Sequence, residues 1–137
     1  MAKPLADAGV QWRQASGPLD RWVDASPDRL KQVFTNIVNN AIEVMAPGGG
    51  ELEVNLALSP DGREVGVGFR DSGPGIRPED MGRLFEPFFT TKDHGLGLGL
   101  AICHEIVQQH GGHIAVSSDL GHGAMFTIWL PLLVRRS

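Results

Sequence analysis

The chain has 137 residues, a formal net charge of −4, 42% apolar and 20% charged residues, and 18 glycines, nearly twice the average glycine share of about 7%. This describes one ordinary globular domain, long enough to bury a real core. The glycines follow no three-residue period, which excludes collagen, and no apolar run approaches the roughly 20 residues of a membrane span. The basic residues are scattered, so a nucleic-acid-binding face is not expected. Met1 to Pro4 open no signal-peptide core, and the single Cys103 allows neither an internal disulfide nor a cysteine-rich zinc site. A reducing cytoplasm fits this cysteine usage. Sixteen of the glycines lie from Gly48 onward, mostly clustered.

In chain order, Val10–Gln14 alternates weakly as an edge strand, and Arg21–Asp24 suits a second short strand. A helix follows: Ser26 suits the N-cap, Pro27 the first helical position and Asp28 the first turn. Leu30, Val33, Phe34, Ile37, Val38, Ala41, Ile42 and Met45 recur at helical spacing, and Pro47 with Gly48–Gly50 ends the run. Leu52, Val54, Leu56 and Leu58 form one alternating face and Val65, Val67 and Phe69 another, joined by the turn residues Ser59–Gly62. Asp71–Ile76 breaks the strand, Pro78–Leu84 predicts a short helix, and residues 85–97 are irregular. Leu98–His110 reads as a helix stopped by Gly111 and Gly112. Two closing strands centre on Ile114 and Val116, then on Phe126, Ile128 and Leu130. Strands outnumber crossover helices, which predicts an α+β fold, a mixed sheet with helices on one face.

Several segments carry candidate chemistry. Asn36 and Asn40 lie one helical turn apart, on a stripe shared with Glu43. Paired carboxamides suit a hydrated cation and nearby phosphate oxygens, or simply a solvated helix face. Asp71-Ser-Gly-Pro-Gly75 follows a strand, and its glycines allow either a tight turn or close approach to a ligand, with Asp71 able to accept from an exocyclic amine. Gly95-Leu-Gly-Leu-Gly99 runs into a helix whose exposed amides suit phosphate, or it is a hinge. Its spacing matches neither a P-loop nor a dinucleotide fingerprint. Lys92 precedes it as a phosphate partner or a solvated lysine. Phe85-Glu-Pro-Phe-Phe89 is core or a loop anchor, and Gly121-His-Gly123 is a hairpin turn or a ligand contact.

Taken in order, these five segments resemble the N, G1, F, G2 and G3 boxes of sensor histidine kinases, from about Asp20 to Pro131. The chain is similar to the ATP-binding catalytic domain of that family, within the superfamily of gyrase, heat-shock chaperone and mismatch-repair ATPases. Phe88-Phe-Thr-Thr-Lys92 is most similar to kinases of the nitrogen-regulation type. The resemblance implies a Bergerat-type two-layer α/β sandwich, with residues 1–137 as one catalytic domain. The ATP-binding set it implies is Asn36, Asn40, Asp71, Gly73, Gly75, Ile76, Phe85, Lys92, Gly95, Leu96, Gly97, Leu98, Gly99 and Leu100. Asn40 is the implied magnesium ligand, Asp71 the adenine contact, and residues 89–98 the ATP lid.

Hydrolytic members of the superfamily place a Glu where this chain has Asn36, so slow water attack is implied. The implied reaction is phosphoryl transfer from Mg-ATP to a histidine on a separate dimerisation and phosphoacceptor domain, with a response regulator downstream. None of His94, His104, His110, His113 and His122 has an acceptor context. Two departures stand out: Glu43 replaces a frequent cation, and Ala124-Met125 replaces small hydroxyl residues after the last glycine box. A stand-alone serine kinase of the anti-sigma-factor type and a regulatory nucleotide-binding module without transfer activity share this fold as alternatives.

Overall fold

A computed structural model describes residues 10–14, 23, 25–45, 48–87, 89 and 99–132. Eight elements follow one another: β1 (Val10–Gln14), α1 (Pro27–Met45), β2 (Gly50–Leu58), β3 (Glu64–Asp71), α2 (Pro78–Met81), α3 (Gly99–Gln109), β4 (His113–Ser118) and β5 (Ala124–Pro131). The strands form one five-stranded sheet in the order β1-β2-β3-β5-β4. β1 pairs parallel to β2, and every other pair is antiparallel, so the sheet is mixed as the sequence predicts.

Register decides which side faces the helices. Val54 pairs with Phe69, Phe69 with Phe126, and Phe126 with Val116, so these residues share one face. On that face the core closes around Leu52, Val65, Phe69, Phe126, Ile128 and Leu130. α1 supplies Val33, Ile37, Val38, Ala41 and Met45, and α3 supplies Cys103, Ile106 and Val107. Every apolar position read from the α1 periodicity lies in this core or packs against it. On the other face the Trp129 ring lies over Gly66, and the Asn55 side chain lies over Gly68. An aromatic ring across a strand glycine covers backbone that no side chain of its own would shield.

The helix ends follow their capping residues. The Leu30 amide donates to the Ser26 carbonyl at 3.0 Å, and Ser26 Oγ stands 3.5 Å from the Arg29 amide. The Ser26 amide donates to Nε2 of His110 at 3.1 Å, while His110 Nδ1 lies 2.8 Å from the Ile106 carbonyl. A neutral His110 protonated on Nδ1 satisfies both, and so ties the start of α1 to the end of α3. Gly111 stops α3 with φ +77; its amide reaches the Gln108 carbonyl and the Gly112 amide reaches that of Val107. This is the Schellman pairing.

Two boundaries differ from the sequence reading, and a third falls partly outside the described residues. Val23 lies in no strand, and the rest of Arg21–Asp24 falls outside the described residues. The helix expected over Pro78–Leu84 ends at Met81 and continues as turns. There Gly82 interrupts the run, and Leu84 turns into the core. α3 is described from Gly99, so Leu98 lies outside the described residues.

Ile128 is fully buried in an inner strand. Ile128→Ala is expected to destabilise the domain by about 2–5 kcal/mol in urea unfolding. Leu120→Ser, at a residue 57% exposed, is expected to change stability by less than about 0.5 kcal/mol.

Candidate functional site

β3 ends at Asp71, opposite Leu52 in register, which points its side chain to the core face. Only 4% of the residue is exposed. Its Oδ1 accepts from the Gly73 amide at 2.9 Å and from the Ala124 amide at 3.3 Å. Neither bond falls on Oδ2, and among the described residues no cation faces the carboxylate. Burial pushes the Asp71 pKa up, against the opposing pull of the two amides. With Oδ1 taken by two amides, Oδ2 is the oxygen able to accept a further donor.

The loop after Asp71 is held from two sides. On one side, Ser72 Oγ accepts the Glu51 amide at 2.8 Å, and the Ser72 amide donates to the Glu51 carbonyl at 3.1 Å. Ser72 Oγ also approaches Met45 Sδ at 3.5 Å, at the end of α1. On the other side stands the turn between β4 and β5. The Ile76 amide donates to Ser118 Oγ at 2.7 Å, and the Gly121 amide to the Pro74 carbonyl at 2.9 Å. Ser118 Oγ in turn donates to the Gly123 carbonyl at 3.2 Å.

Two glycines in this clamp are obligatory. Gly75 has φ +83, and a Cβ there would meet the Asp119 carbonyl oxygen at 2.6 Å. Gly123 has φ +88, and a Cβ there would overlap the Asp71 carbonyl. Both the left-handed backbone and the close approach require glycine. Gly73 sits against Asp71 Oδ1 and Val44. Gly121-His-Gly123 is the hairpin turn of the sequence reading, and its Gly123 lies against the Asp71 backbone.

α1 carries the two carboxamides, and both are half-buried, whereas Glu43 is exposed. The Asn36 side chain hydrogen-bonds the Cys103 thiol of α3, and that thiol also donates to the Val33 carbonyl at 3.6 Å. Burial pushes the Cys103 pKa up to about 11, so the thiol stays protonated and inert. Phe85 stacks on His104 of α3, with ring centroids 5.1 Å apart, which gives His104 a packing role. Ile76, Phe85 and Leu100 all pack against the core. Gly99, the first residue of α3, has open space where a Cβ would stand. Lys92, Gly95, Leu96, Gly97 and Leu98 lie outside the described residues.

The sequence reading missed Ser72 and Ser118, the two hydroxyls that fasten the Asp71 loop, and the Ala124 amide that binds its carboxylate. A serine on a strand or a turn has no periodic signature, although Ser118 lies just before the Gly121–Gly123 turn already singled out. Among the described residues no cluster of three or more His, Cys, Asp or Glu side chains is placed to hold a metal ion. No described helix is long and apolar enough to cross a membrane.

Residues 25–134 match the family of histidine kinase-, DNA gyrase B- and HSP90-like ATPases. The sensor histidine kinase ZraS of Escherichia coli strain K12 is 44% identical over 114 residues, covering 83% of this chain and 24% of that protein. Sporulation kinase E of Bacillus subtilis is 45% identical over 106 residues, covering 77% of this chain and 14% of its own length. The chain thus spans about a quarter or less of these curated relatives. Among solved structures, the nucleotide-free catalytic domain of histidine kinase ThkA superposes with a TM-score of 0.81 at 32% identity, covering 95% of this chain and 84% of that one. Full-length ShkA in complex with AMPPNP gives a TM-score of 0.85 at 31% identity, covering 100% of this chain and 28% of that one.

Two outcomes follow from the Asp71 clamp. Because the folded pKa of Asp71 is raised, the native state holds this proton more tightly than the unfolded chain. Its contribution to stability is full below the unfolded value of about 3.9 and is lost as pH rises through the folded value. In urea titrations across that window, Asp71→Asn is expected to gain stability relative to wild type as pH rises. Gly123→Ala is expected to cost at least about 1–3 kcal/mol in the same assay, since it strains the backbone against Asp71.

Proposed function

The chain belongs to the histidine kinase-, DNA gyrase B- and HSP90-like ATPase family, as a histidine kinase catalytic domain, and we propose that it binds Mg-ATP and transfers the γ-phosphoryl group to a histidine on a separate dimerisation and phosphoacceptor domain. The phosphoryl group then passes to a response regulator, as two-component signalling requires.

The observation that carries this reading is the buried Asp71 carboxylate, with two amides on Oδ1 and neither of them on Oδ2. An exocyclic amine of adenine suits Oδ2 as a donor, and a hydrogen bond to a charged acceptor is among the stronger polar contacts. Gly73 and Gly75 keep the loop beside it free of side chains. Asn40 is the residue that holds the magnesium of Mg-ATP, since a carboxamide oxygen suits that hard cation. Asn36, one turn earlier, faces the phosphates. Gly95, Gly97 and Gly99, together with Leu96, Leu98, Leu100 and Lys92, are the residues assigned to the triphosphate, since backbone amides leading into a helix suit phosphate oxygens.

Asn36 also supports transfer over hydrolysis. A neutral amide accepts no proton near pH 7, and this one is engaged with a protonated thiol. It therefore provides no general base for water. The chain's own residues bind and orient the nucleotide, and the acceptor imidazole brings the nucleophile, so catalysis rests on positioning and charge neutralisation. The similarity to a relative named a sensor histidine kinase favours a histidine acceptor over a serine.

Calorimetric titration of Mg-ATP is expected to show about 10- to 100-fold weaker binding for Asp71→Asn, the size of a hydrogen bond to a charged group. Asn40→Asp is expected to weaken binding of the magnesium complex. Mixed with an acceptor domain and radiolabelled ATP, the wild-type chain is expected to give an acid-labile, base-stable label. Unchanged binding in both variants, or an acid-stable label on serine, would overturn the reading.

A further inference from the structure

We propose that Ser118 is a positioning residue for the purine contact, fixing the orientation of the Asp71 carboxylate through the single peptide group between Gly123 and Ala124. This inference rests on the nucleotide reading above.

The connection is short and continuous. The carbonyl of Gly123 accepts from Ser118 Oγ at 3.2 Å. The amide of Ala124, the other end of that same peptide group, donates to Asp71 Oδ1 at 3.3 Å. A peptide group is planar and resists twisting. A pull on its carbonyl therefore sets the direction of its N–H. Ser118 has one hydroxyl proton, given to Gly123, and its lone pair takes the Ile76 amide at 2.7 Å. One side chain thus fixes the far end of the Asp71–Ile76 loop and the near face of the β4–β5 turn together.

Hairpin closure alone does not need this hydroxyl. Ser118 and Ala124 already pair in the β ladder, and the Asp119 amide already donates to the Gly123 carbonyl at 3.3 Å. The contact that leaves the hairpin is the bond to Ile76, across 42 residues of sequence. Removing the hydroxyl takes the Ser118 partner from the Ile76 amide and leaves the Gly123 carbonyl with the Asp119 amide alone, so the Gly123–Ala124 peptide is held less tightly. The Asp71 carboxylate then presents Oδ2 over a wider range of directions, which weakens a bond to an amine at one fixed place.

This mechanism acts only on the part of the nucleotide that Asp71 touches, and that supplies the test. Affinities of wild type, Ser118→Ala, Ser118→Thr and Asp71→Asn are measured for Mg-ATP and for the triphosphate of purine riboside, which lacks the 6-amino group. Ser118→Ala is expected to lose about fivefold for ATP, the size of one neutral hydrogen bond, and almost nothing for the purine riboside nucleotide. Ser118→Thr keeps the hydroxyl and is expected to bind ATP within about twofold of wild type. If alanine prevents folding, Ser118→Cys, whose thiol fills the space with a weak hydrogen-bonding group, gives the same comparison. Equal losses for both nucleotides, or no loss for either, overturn the proposal. If Asp71→Asn discriminates between the nucleotides while the Ser118 variants do not, only this inference fails. If wild type itself does not discriminate, the purine reading of Asp71 fails with it.

Discussion

The site depends on keeping a carboxylate buried at the end of an inner strand with no cation beside it among the described residues. Asp71 is 4% exposed and finds its partners in backbone amides, at Gly73 and at Ala124. Two amides are a weaker compensation than a salt bridge, and burial accordingly raises the pKa of this group. The surroundings must therefore be built to bring those amides in and hold them. Ser72 fastens the loop to the first residues of β2, Ser118 fastens it to the β4–β5 turn, and Gly123 lets the turn lie against the Asp71 backbone. Without this clamp the carboxylate would turn out to water, and the sheet end would lose its one directed acceptor.

That constraint also explains where glycine is needed and where it is not. Gly75 and Gly123 have left-handed backbone and a carbonyl within overlap distance of any side chain. Gly111 only stops a helix, and Gly66 makes room for the Trp129 ring. The glycine excess is therefore not one feature with one cause. It divides into ordinary helix punctuation, filled gaps in the sheet, and a small set that lets two loops meet around Asp71.

Much of the architecture was legible because periodicity reports burial. The α1 stripe from Leu30 to Met45 emerged as core, as did Leu52, Val54, Val65, Val67 and Phe69, whereas Leu58 at the end of β2 is exposed and Leu56 lies outside the core; β1 is a strand at the sheet edge. The strand order was not legible, since nothing local records that β5 lies between β3 and β4. The helix after Pro78 was read too long because Met81 and Leu84 both turn inward at helical spacing, although Gly82 lies between them and the chain turns there. In the site, Asp71 and its glycines stood out by type and context. Their supports did not, because they are backbone amides and strand hydroxyls distant in sequence, such as Ala124 and Ser118. The bond between Asn36 and Cys103 was likewise hidden, since it depends on how α1 and α3 cross.

The distribution of rigidity then follows the proposed chemistry. A purine must be selected, which calls for an acceptor fixed in direction, and the fixed part of the site is built on strand ends and two interlocked turns. A triphosphate must be oriented and then give up its terminal group, and of the residues assigned to it Asn36, Asn40, Gly99 and Leu100 lie on the two described long helices. Asn36 fits the same division, since a neutral carboxamide provides no general base. On the proposed reading, such a domain holds a nucleotide without activating water against it. Reaction then waits for a nucleophile brought from outside, which is what a transferring enzyme requires and a hydrolase does not.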